Sequence, residues 1–262
     1  MLTKVDVLVN IVVGLANLAL DDFEAYVPIF QSQLLGNEIR FRSVGGVMEG
    51  EFQTKTIMWS MRALSCWLNE RDSWAETNFQ CYVEPNLLGF GHLRRTIRAA
   101  QDDRTQIIPS STTQDVAKRS QGDNEITITN IEVVQAGYTF KPFDIFSVFI
   151  NVLIALGEWD PDDHPSALSV YNPEIDLGFA LGATSRQSTG NLPTRYMIAA
   201  LSDLAEQLPH IRQRDLQWKE FTFLVRNDGR IIGTGVMKKG RVGPAEMLLQ
   251  ASGEDAAHVE VS

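Results

Sequence analysis

His92 is the side chain of this sequence best suited to acid–base chemistry, because it is the one histidine within a strongly patterned segment. An imidazole can both accept and release a proton during a reaction. Glu76 and Glu220 each follow a tryptophan by two residues, and a carboxylate beside an indole is a second acid–base candidate. We therefore predict His92, Glu76 and Glu220 as catalytic residues. The alternative is a surface histidine and two glutamates that pair with cations or cap backbone groups.

Five further residues are candidates for binding a ligand. Two are the indoles of the Trp-x-Glu motifs, Trp74 and Trp218, and a third aromatic is Tyr82. The other two are Lys55 and Arg195, which fall in the first turn of predicted helices, an unfavourable place for a cation. Such a cation indicates contact with an anion, or pairing with an acidic neighbour. The tryptophans are equally compatible with core packing.

Other motifs argue against cofactors and metals. The glycine pairs Gly89/Gly91 and Gly233/Gly235 lie in the second strands of predicted hairpins, whereas a phosphate-binding loop needs a helix after its glycines. A close backbone contact or a bulge is expected there. The acidic segment 160–164 lacks the ligand spacing of a calcium loop. Cys66 and Cys81 are expected in the core. We predict no cofactor and no metal.

An internal repeat is the strongest pattern in the chain. Residues 74–93 match residues 218–237 at a constant separation of 144 positions, with Trp, Glu, Phe and both glycines in register. Further upstream, Thr54 and Lys55 match Thr194 and Arg195 at a separation of 140, and Asp6 matches Asp144 at 138. The separation changes only where loops are expected. This order of matches indicates a duplicated module.

Each copy is predicted to be an α-β-α-β-β module. A buried apolar helix (5–20 or 143–156) is followed by a short strand (38–41 or 174–177). An amphipathic helix then begins at Thr54 or at Thr194, and a hairpin ends the copy. The second hairpin has the turn sequence Asn-Asp-Gly at 227–229, a strong hairpin signal.

The sequence predicts an α+β fold of two tandem modules packed as one pseudo-symmetric body. Residues 1–95 form the first copy, and 96–124 form a charged, helix-permissive segment and flexible linker. Residues 125–240 hold a strand and the second copy, and 241–262 form a disordered tail. Each short sheet needs a cover, which favours packing of the copies against each other. The cleft between them is the expected ligand site.

The bulk composition indicates a soluble protein of a reducing compartment. The net charge is −10, which disfavours nucleic acid and anionic membranes as partners. Two cysteines cannot form a disulfide framework. The apolar run 7–20 is too short and too polar to span a bilayer, and its internal match argues against a signal peptide. We expect a cytoplasmic location, and the oligomeric state is open.

The helix with its Trp-x-Glu motif and the hairpin ending Ile231-Ile-Gly-Thr-Gly235 resemble segments of uncharacterised proteins of filamentous fungi. The resemblance implies an accessory protein, encoded beside enzymes of secondary metabolism, and it carries no catalytic residue. We hypothesise a protein that binds a small hydrophobic molecule, or a cofactor-free isomerase or cyclase acting on a hydrophobic metabolite. The alternative is a non-catalytic protein-interaction or effector-like protein.

Overall fold

The computed structural model describes residues 2–44, 52–83, 85–96, 126–184, 192–211 and 218–243. The chain forms two compact units, Met1–Asp123 and Asn124–Ser262. Within the described residues, each unit combines two α-helices with an antiparallel sheet, so the fold class is α+β as expected. Apart from Thr96 and residues 241–243, the predicted linker and tail lie outside the described residues. Within the described residues, no helix has the length and hydropathy needed to cross a membrane.

The first unit builds a four-stranded sheet in the order β1-β2-β4-β3, with every neighbouring pair antiparallel. Its elements along the chain are α1 (Lys4–Ala19), β1 (Ile29–Leu34), β2 (Asn37–Ser43), α2 (Thr54–Glu70), β3 (Thr77–Val83) and β4 (Asn86–Arg95). Both pairs of successive strands are hairpins, and β2 and β4 are the central strands.

Helix α1 is buried on nearly every side because its sequence is apolar around the whole circumference. Thr3 begins the helix, and its hydroxyl oxygen accepts the backbone N–H of Asp6 at 3.1 Å. The helix packs against α2 and against strands β1 and β2. At Gly14 a Cβ atom would lie 2.9 Å from the Met61 side chain, so glycine permits the close approach of α1 and α2.

The second unit builds a five-stranded sheet in the order β5-β8-β9-β7-β6. Its elements are β5 (Ile126–Val133), α3 (Pro142–Gly157), β6 (Ala167–Asn172), β7 (Leu177–Ala183), α4 (Thr194–Gln207), a 3-10 turn (Leu208–His210), β8 (Phe221–Asn227) and β9 (Arg230–Lys239). Strands β6 to β9 follow the same spatial order as β1 to β4, and β5 is an additional strand beyond β8.

Several predicted elements are confirmed, and the segment between the two helices of each half differs from the prediction. Both final hairpins, the four helices and the strand β5 occur where the sequence pattern placed them. The strand expected at 38–41 is confirmed as part of β2, but two strands lie between the helices, β1–β2 or β6–β7. Each unit therefore contains the order α-β-β-α-β-β, which β5 precedes in the second unit. Segment 174–177 is mostly the turn of the hairpin β6–β7. Strand β1 was missed because the polar Gln31, Ser32 and Gln33 hide its alternation, although Ser32 is buried.

The second glycine of each Gly-x-Gly pair makes room for an aromatic ring on the neighbouring strand. A Cβ atom on Gly91 would collide with the ring of Phe79, and a Cβ atom on Gly235 would collide with the ring of Phe223. Each phenylalanine is the cross-strand partner of its glycine. The predicted close backbone contact is found at the first glycine of each pair, where a Cβ atom would lie 2.7 Å from the carbonyl oxygen of Arg42 (Gly89) or 2.9 Å from that of Gly182 (Gly233). The second glycines serve ring packing instead.

Candidate functional site

The outer face of the first sheet, opposite its helices, holds a shallow depression. Its walls come from alternate residues of the two central strands: Arg40 faces His92, and Arg42 faces Phe90. Together with Gly91, these four residues line a volume of about 230 Å³. We call this feature the arginine depression.

Two arginine side chains define the chemistry of the arginine depression. Arg40 and Arg42 lie on the same face of β2, two residues and about 7 Å apart along the strand. Within the described part of the chain, neither guanidinium has a hydrogen-bond or ion-pair partner. Two neighbouring guanidinium groups repel each other unless an anion lies between them, and their planar donor sets suit carboxylate or phosphate oxygens.

His92 is held in a fixed orientation at one side of the depression. Its Nε2 lies 2.8 Å from Oε1 of Glu38, and both side chains are about one-fifth exposed. The other oxygen of Glu38 accepts a hydrogen bond of 3.2 Å from Nε2 of Gln31. Three strands thus contribute to one chain of polar contacts, Gln31 from β1, Glu38 from β2 and His92 from β4. This leaves Nδ1 as the ring nitrogen without a protein contact in that chain.

None of the aromatic residues predicted to bind a ligand lines this depression. Tyr82 is on β3 and 56% exposed, and its hydroxyl donates to Oε1 of Gln80 at 2.8 Å. It is four residues along β3 from Asn78, the residue that faces His92. Trp74 is 8% exposed, and the Lys4 ammonium lies 5.3 Å from the centre of its ring. Trp218 packs with its ring centre 6.0 Å from that of Phe146.

The two glutamates of the Trp-x-Glu motifs occupy matched positions beside the ends of their sheets. Oε1 of Glu76 accepts the backbone N–H of Arg95 at 3.3 Å. Oε1 of Glu220 accepts the backbone N–H of Lys239 at 2.9 Å. Each carboxylate therefore satisfies a backbone donor at the last residue of β4 or β9, the capping role that stood as the alternative to catalysis.

The two predicted anion-binding cations each have an acidic partner. Nζ of Lys55 lies 2.5 Å from a carboxylate oxygen of Glu24, and the guanidinium of Arg195 lies 2.7 Å from Asp162. The four side chains are between 37% and 73% exposed. In the acidic segment 160–164, Oδ1 of Asp160 accepts the backbone N–H of Asp162. The carboxylates of Asp160 and Asp162 are therefore both engaged within the protein.

Cys81 belongs to the core of the first unit. It is 5% exposed, and burial raises the pKa of its thiol, although a hydrogen bond with Ser60 lowers it in part. A thiol with a raised pKa is a weak nucleophile at neutral pH. The core position that the sequence predicted for Cys81 is confirmed.

A second depression, of about 450 Å³, lies at the end of α4 in the second unit. It is lined by Ile131, Asp203, Glu206, Gln207, His210 and Ile211. Partial burial and then the nearby Asp203 charge raise the pKa of Glu206, whereas His210 lowers it. The side chains of Asp203 and Gln207 bind the backbone of β5 and so serve the fold. This depression is the weaker candidate.

The second sheet has a different surface at the positions that match the arginine depression. Ala180 and Gly182 stand 140 positions after Arg40 and Arg42, and Thr234 and Val236 stand 144 positions after Phe90 and His92. All four are buried. Val242 packs against Ala180 and Val236, so a later segment of the same chain covers this place.

Sequence reasoning missed both arginines, although a signal was present. Glu38 and Arg40 alternate along the predicted strand 38–41, and Arg42 continues this polar row one residue beyond it. An alternating polar row indicates an exposed sheet face. The change from arginine to alanine and glycine at a separation of 140 positions marked the same row. The sequence does not show which residues of β2 face which residues of β4, so it does not connect the two arginines with His92.

The interpretation of the candidate site rests on its geometry. No protein-family model, no curated protein and no solved structure matches this chain. The resemblance to proteins of filamentous fungi therefore stays a prediction.

Proposed function

We propose that this protein binds a small apolar molecule carrying an anionic group, and that the arginine depression is the site. The observation that supports this most is the pair Arg40 and Arg42, which lack an acidic partner among the described residues. Each charge-assisted hydrogen bond to a carboxylate contributes about 1.5–3 kcal/mol. An anion between the two guanidinium groups would also relieve their repulsion.

Phe90 supplies the apolar part of the proposed site. Its side chain is 46% exposed on the outer face, next to Arg42 on the neighbouring strand. Covering apolar surface contributes about 25 cal/mol per Å². A volume of about 230 Å³ is smaller than the roughly 300–1,000 Å³ of sites for drug-sized molecules. The ligand, or the part of it that is bound, is therefore of the size of one or two rings.

A second candidate function is proton transfer on the bound molecule, as in a cofactor-free isomerase. The observation that favours it is the contact of 2.8 Å between His92 and Glu38. A carboxylate that orients an imidazole leaves the other ring nitrogen available as an acid or base. In this scheme the arginines bind the anionic group, and His92 moves the proton.

We further propose that the two units are diverged copies of one module. The same strand order, the matched Gly–Phe contacts and the matched capping glutamates support this. In the second copy, Val242 occupies the place that the ligand takes in the first. The predicted packing of the copies around a ligand cleft stays a prediction.

The binding proposal is tested with 1-naphthoate, an aromatic carboxylate, by calorimetric titration. We expect Arg40→Ala and Arg42→Ala each to raise the dissociation constant about tenfold or more, which corresponds to about 1.4 kcal/mol. Arg94→Ala is the matched control, since Arg94 lies on the same face of β4 but does not line the depression. The neutral alcohol 1-naphthalenemethanol should bind more weakly to the unaltered protein and respond little to either substitution.

Two results would overturn the proposal. One is that 1-naphthoate does not bind to the unaltered protein. The other is binding that Arg40→Ala and Arg42→Ala leave unchanged, or that Arg94→Ala weakens equally. For the proton-transfer candidate, His92→Ala should slow turnover of a substrate more than it weakens binding.

A further inference from the structure

The two sheets differ at one edge, and the difference exposes a strand in the first unit. In the second sheet, β5 pairs with β8 along the side that faces away from β9. In the first sheet, β3 holds the place that β8 holds in the second. Among the described residues, no strand pairs with the side of β3 that faces away from β4. In the part of the chain that the structure describes, this edge of β3 is therefore unpaired, whereas the matching edge of β8 is paired with β5.

Hydrogen bonds from α4 stabilise β5 at the edge of the second sheet. The backbone N–H of Ile128 donates to Oδ2 of Asp203 at 2.6 Å, and its carbonyl accepts from Nε2 of Gln207 at 3.1 Å. Because these backbone groups bind side chains of α4, they point away from β8, where Val225 is the cross-strand partner of Ile128. Helix α4 thus reaches past β8 and covers the added strand.

The matching helix α2 carries a different surface at the same positions. Ala63 and Trp67 stand 140 positions before Asp203 and Gln207. Trp67 is 39% exposed, and the Arg71 guanidinium lies 4.7 Å from the centre of its ring. By this correspondence, Trp67 lies where it would pack on a strand added to β3. It would do so through apolar area instead of hydrogen bonds.

The edge of β3 lacks the charged residues and prolines that protect many natural strand edges, and its one irregularity is the register shift against β4 between Cys81 and Tyr82. Strand β3 contains no charged residue and no proline over Thr77–Val83. Lysine and other charged residues usually prevent such edges from pairing with another chain, as does proline, which lacks a backbone N–H. Near its end, Tyr82 and Val83 are 56% and 57% exposed. The strand is thus both available and uncharged.

We propose that a second copy of this chain pairs with this edge, through antiparallel pairing of β3 with β3. A two-fold axis perpendicular to the sheet relates the two strands, the isologous arrangement of most dimers. Because β3 is uncharged, self-pairing places no like charges opposite each other. The same axis keeps both α2 helices on one side of the joined sheet, so the two Trp67 side chains approach each other. The arginine depression, on the opposite face, stays open.

The test is sedimentation velocity of the full chain over a range of concentrations. Gln80→Pro is the first variant. In the second unit, the backbone groups of Ile128 point away from β8, so those of the next pair, Thr129 and Leu224, face each other. Gln80 stands 144 positions before Leu224, so its N–H faces away from β4, and proline removes that N–H without breaking the β3–β4 ladder. Trp67→Ala is the second variant, since it alters no backbone group. Gln33→Pro is the matched control at the opposite edge, on β1.

We expect a reversible dimer in the unaltered protein, and a dissociation constant at least about tenfold higher in Gln80→Pro and in Trp67→Ala. Gln33→Pro should dimerise like the unaltered chain. Circular dichroism confirms that each variant is folded, and hydrogen exchange should show the amides of residues 77–83 protected as the concentration rises. A chain that stays monomeric at every concentration overturns the proposal, as does a dimer that neither Gln80→Pro nor Trp67→Ala weakens. Protection of residues 77–83 in a monomeric chain on addition of a peptide of sequence 126–133 would overturn self-pairing and show that the edge accepts an extended peptide strand instead.

Discussion

The side-chain amide of Asn10 in α1 donates a hydrogen bond of 2.6 Å to Oδ1 of Asn37 in β2, and both residues are fully buried. Oδ1 of Asn10 accepts the hydroxyl proton of Ser32 at 2.5 Å, and Nδ2 of Asn37 donates to the carbonyl of Asp6 at 3.2 Å. This polar network fixes the helix against the first hairpin. At the matched positions the second unit has Val148, Val170 and Leu177.

Replacing Asn10 by valine is expected to lower the free energy of unfolding by about 2–3 kcal/mol. The substitution leaves the buried polar groups of Ser32 and Asn37 without their partner, and each unsatisfied group costs about 1–3 kcal/mol. Equilibrium unfolding in urea measures the change.

The control is the triple variant Asn10→Val, Ser32→Val, Asn37→Leu, which installs the residue types of the second unit. It should recover most of the lost stability, because no polar side chain of the network is left buried without a partner. An Asn10→Val protein as stable as the original would contradict this account of the network.

Gly91→Ala is expected to destabilise the protein by about 1–3 kcal/mol, because the added methyl group would collide with the ring of Phe79. Phe79→Leu should return part of that loss in the same background by removing the ring. Gly243→Ala is the control, since its Cβ atom would meet nothing within 4 Å. Thermal unfolding compares the variants, and equal effects at Gly91 and Gly243 would show that the steric explanation is wrong.

The sequence predicted the elements whose local signals agree with their environment. The hairpin β8–β9 has a turn with Gly229 at φ +76°, which matches the glycine that the pattern placed there. Helix α1 was predicted because apolar residues surround it. Strand β1 was not, because Ser32 is a polar residue whose burial depends on Asn10, 22 positions away in the chain. The residues around Ser32 in the sequence therefore give no signal that it is buried.

The candidate site was predicted only at His92. The arrangement of Arg40 and Arg42 around it depends on the register of β2 against β4, which the sequence does not specify. Residues kept in both units, such as Glu76 and Glu220, accept hydrogen bonds from backbone N–H groups at the ends of their sheets. The residues that form the depression are those at which the two units differ.

Lys55→Ala and Arg195→Ala are each expected to change the free energy of unfolding by less than about 1 kcal/mol, because exposed ion pairs contribute little. Neither should alter binding of 1-naphthoate, since neither side chain lines the arginine depression. Calorimetric titration together with urea unfolding separates the two effects. A clear loss of 1-naphthoate binding in either variant would return these cations to the ligand site that the sequence predicted.

Glu206→Gln is expected to stabilise the protein slightly at neutral pH. Partial burial and the Asp203 charge raise the pKa of Glu206 in the folded state, so the charged form is disfavoured there. For a carboxyl group with a raised pKa, its contribution to stability is present below the unfolded pKa, about 4.3, and is lost as the pH rises through the folded value. Removing the charge should therefore help at pH 7 and make little difference below about pH 4. Urea unfolding at both pH values tests this, with the exposed Glu174→Gln as control. A Glu206→Gln protein that is less stable at neutral pH, or whose gain persists unchanged in acid, would contradict the stated origin of the pKa shift.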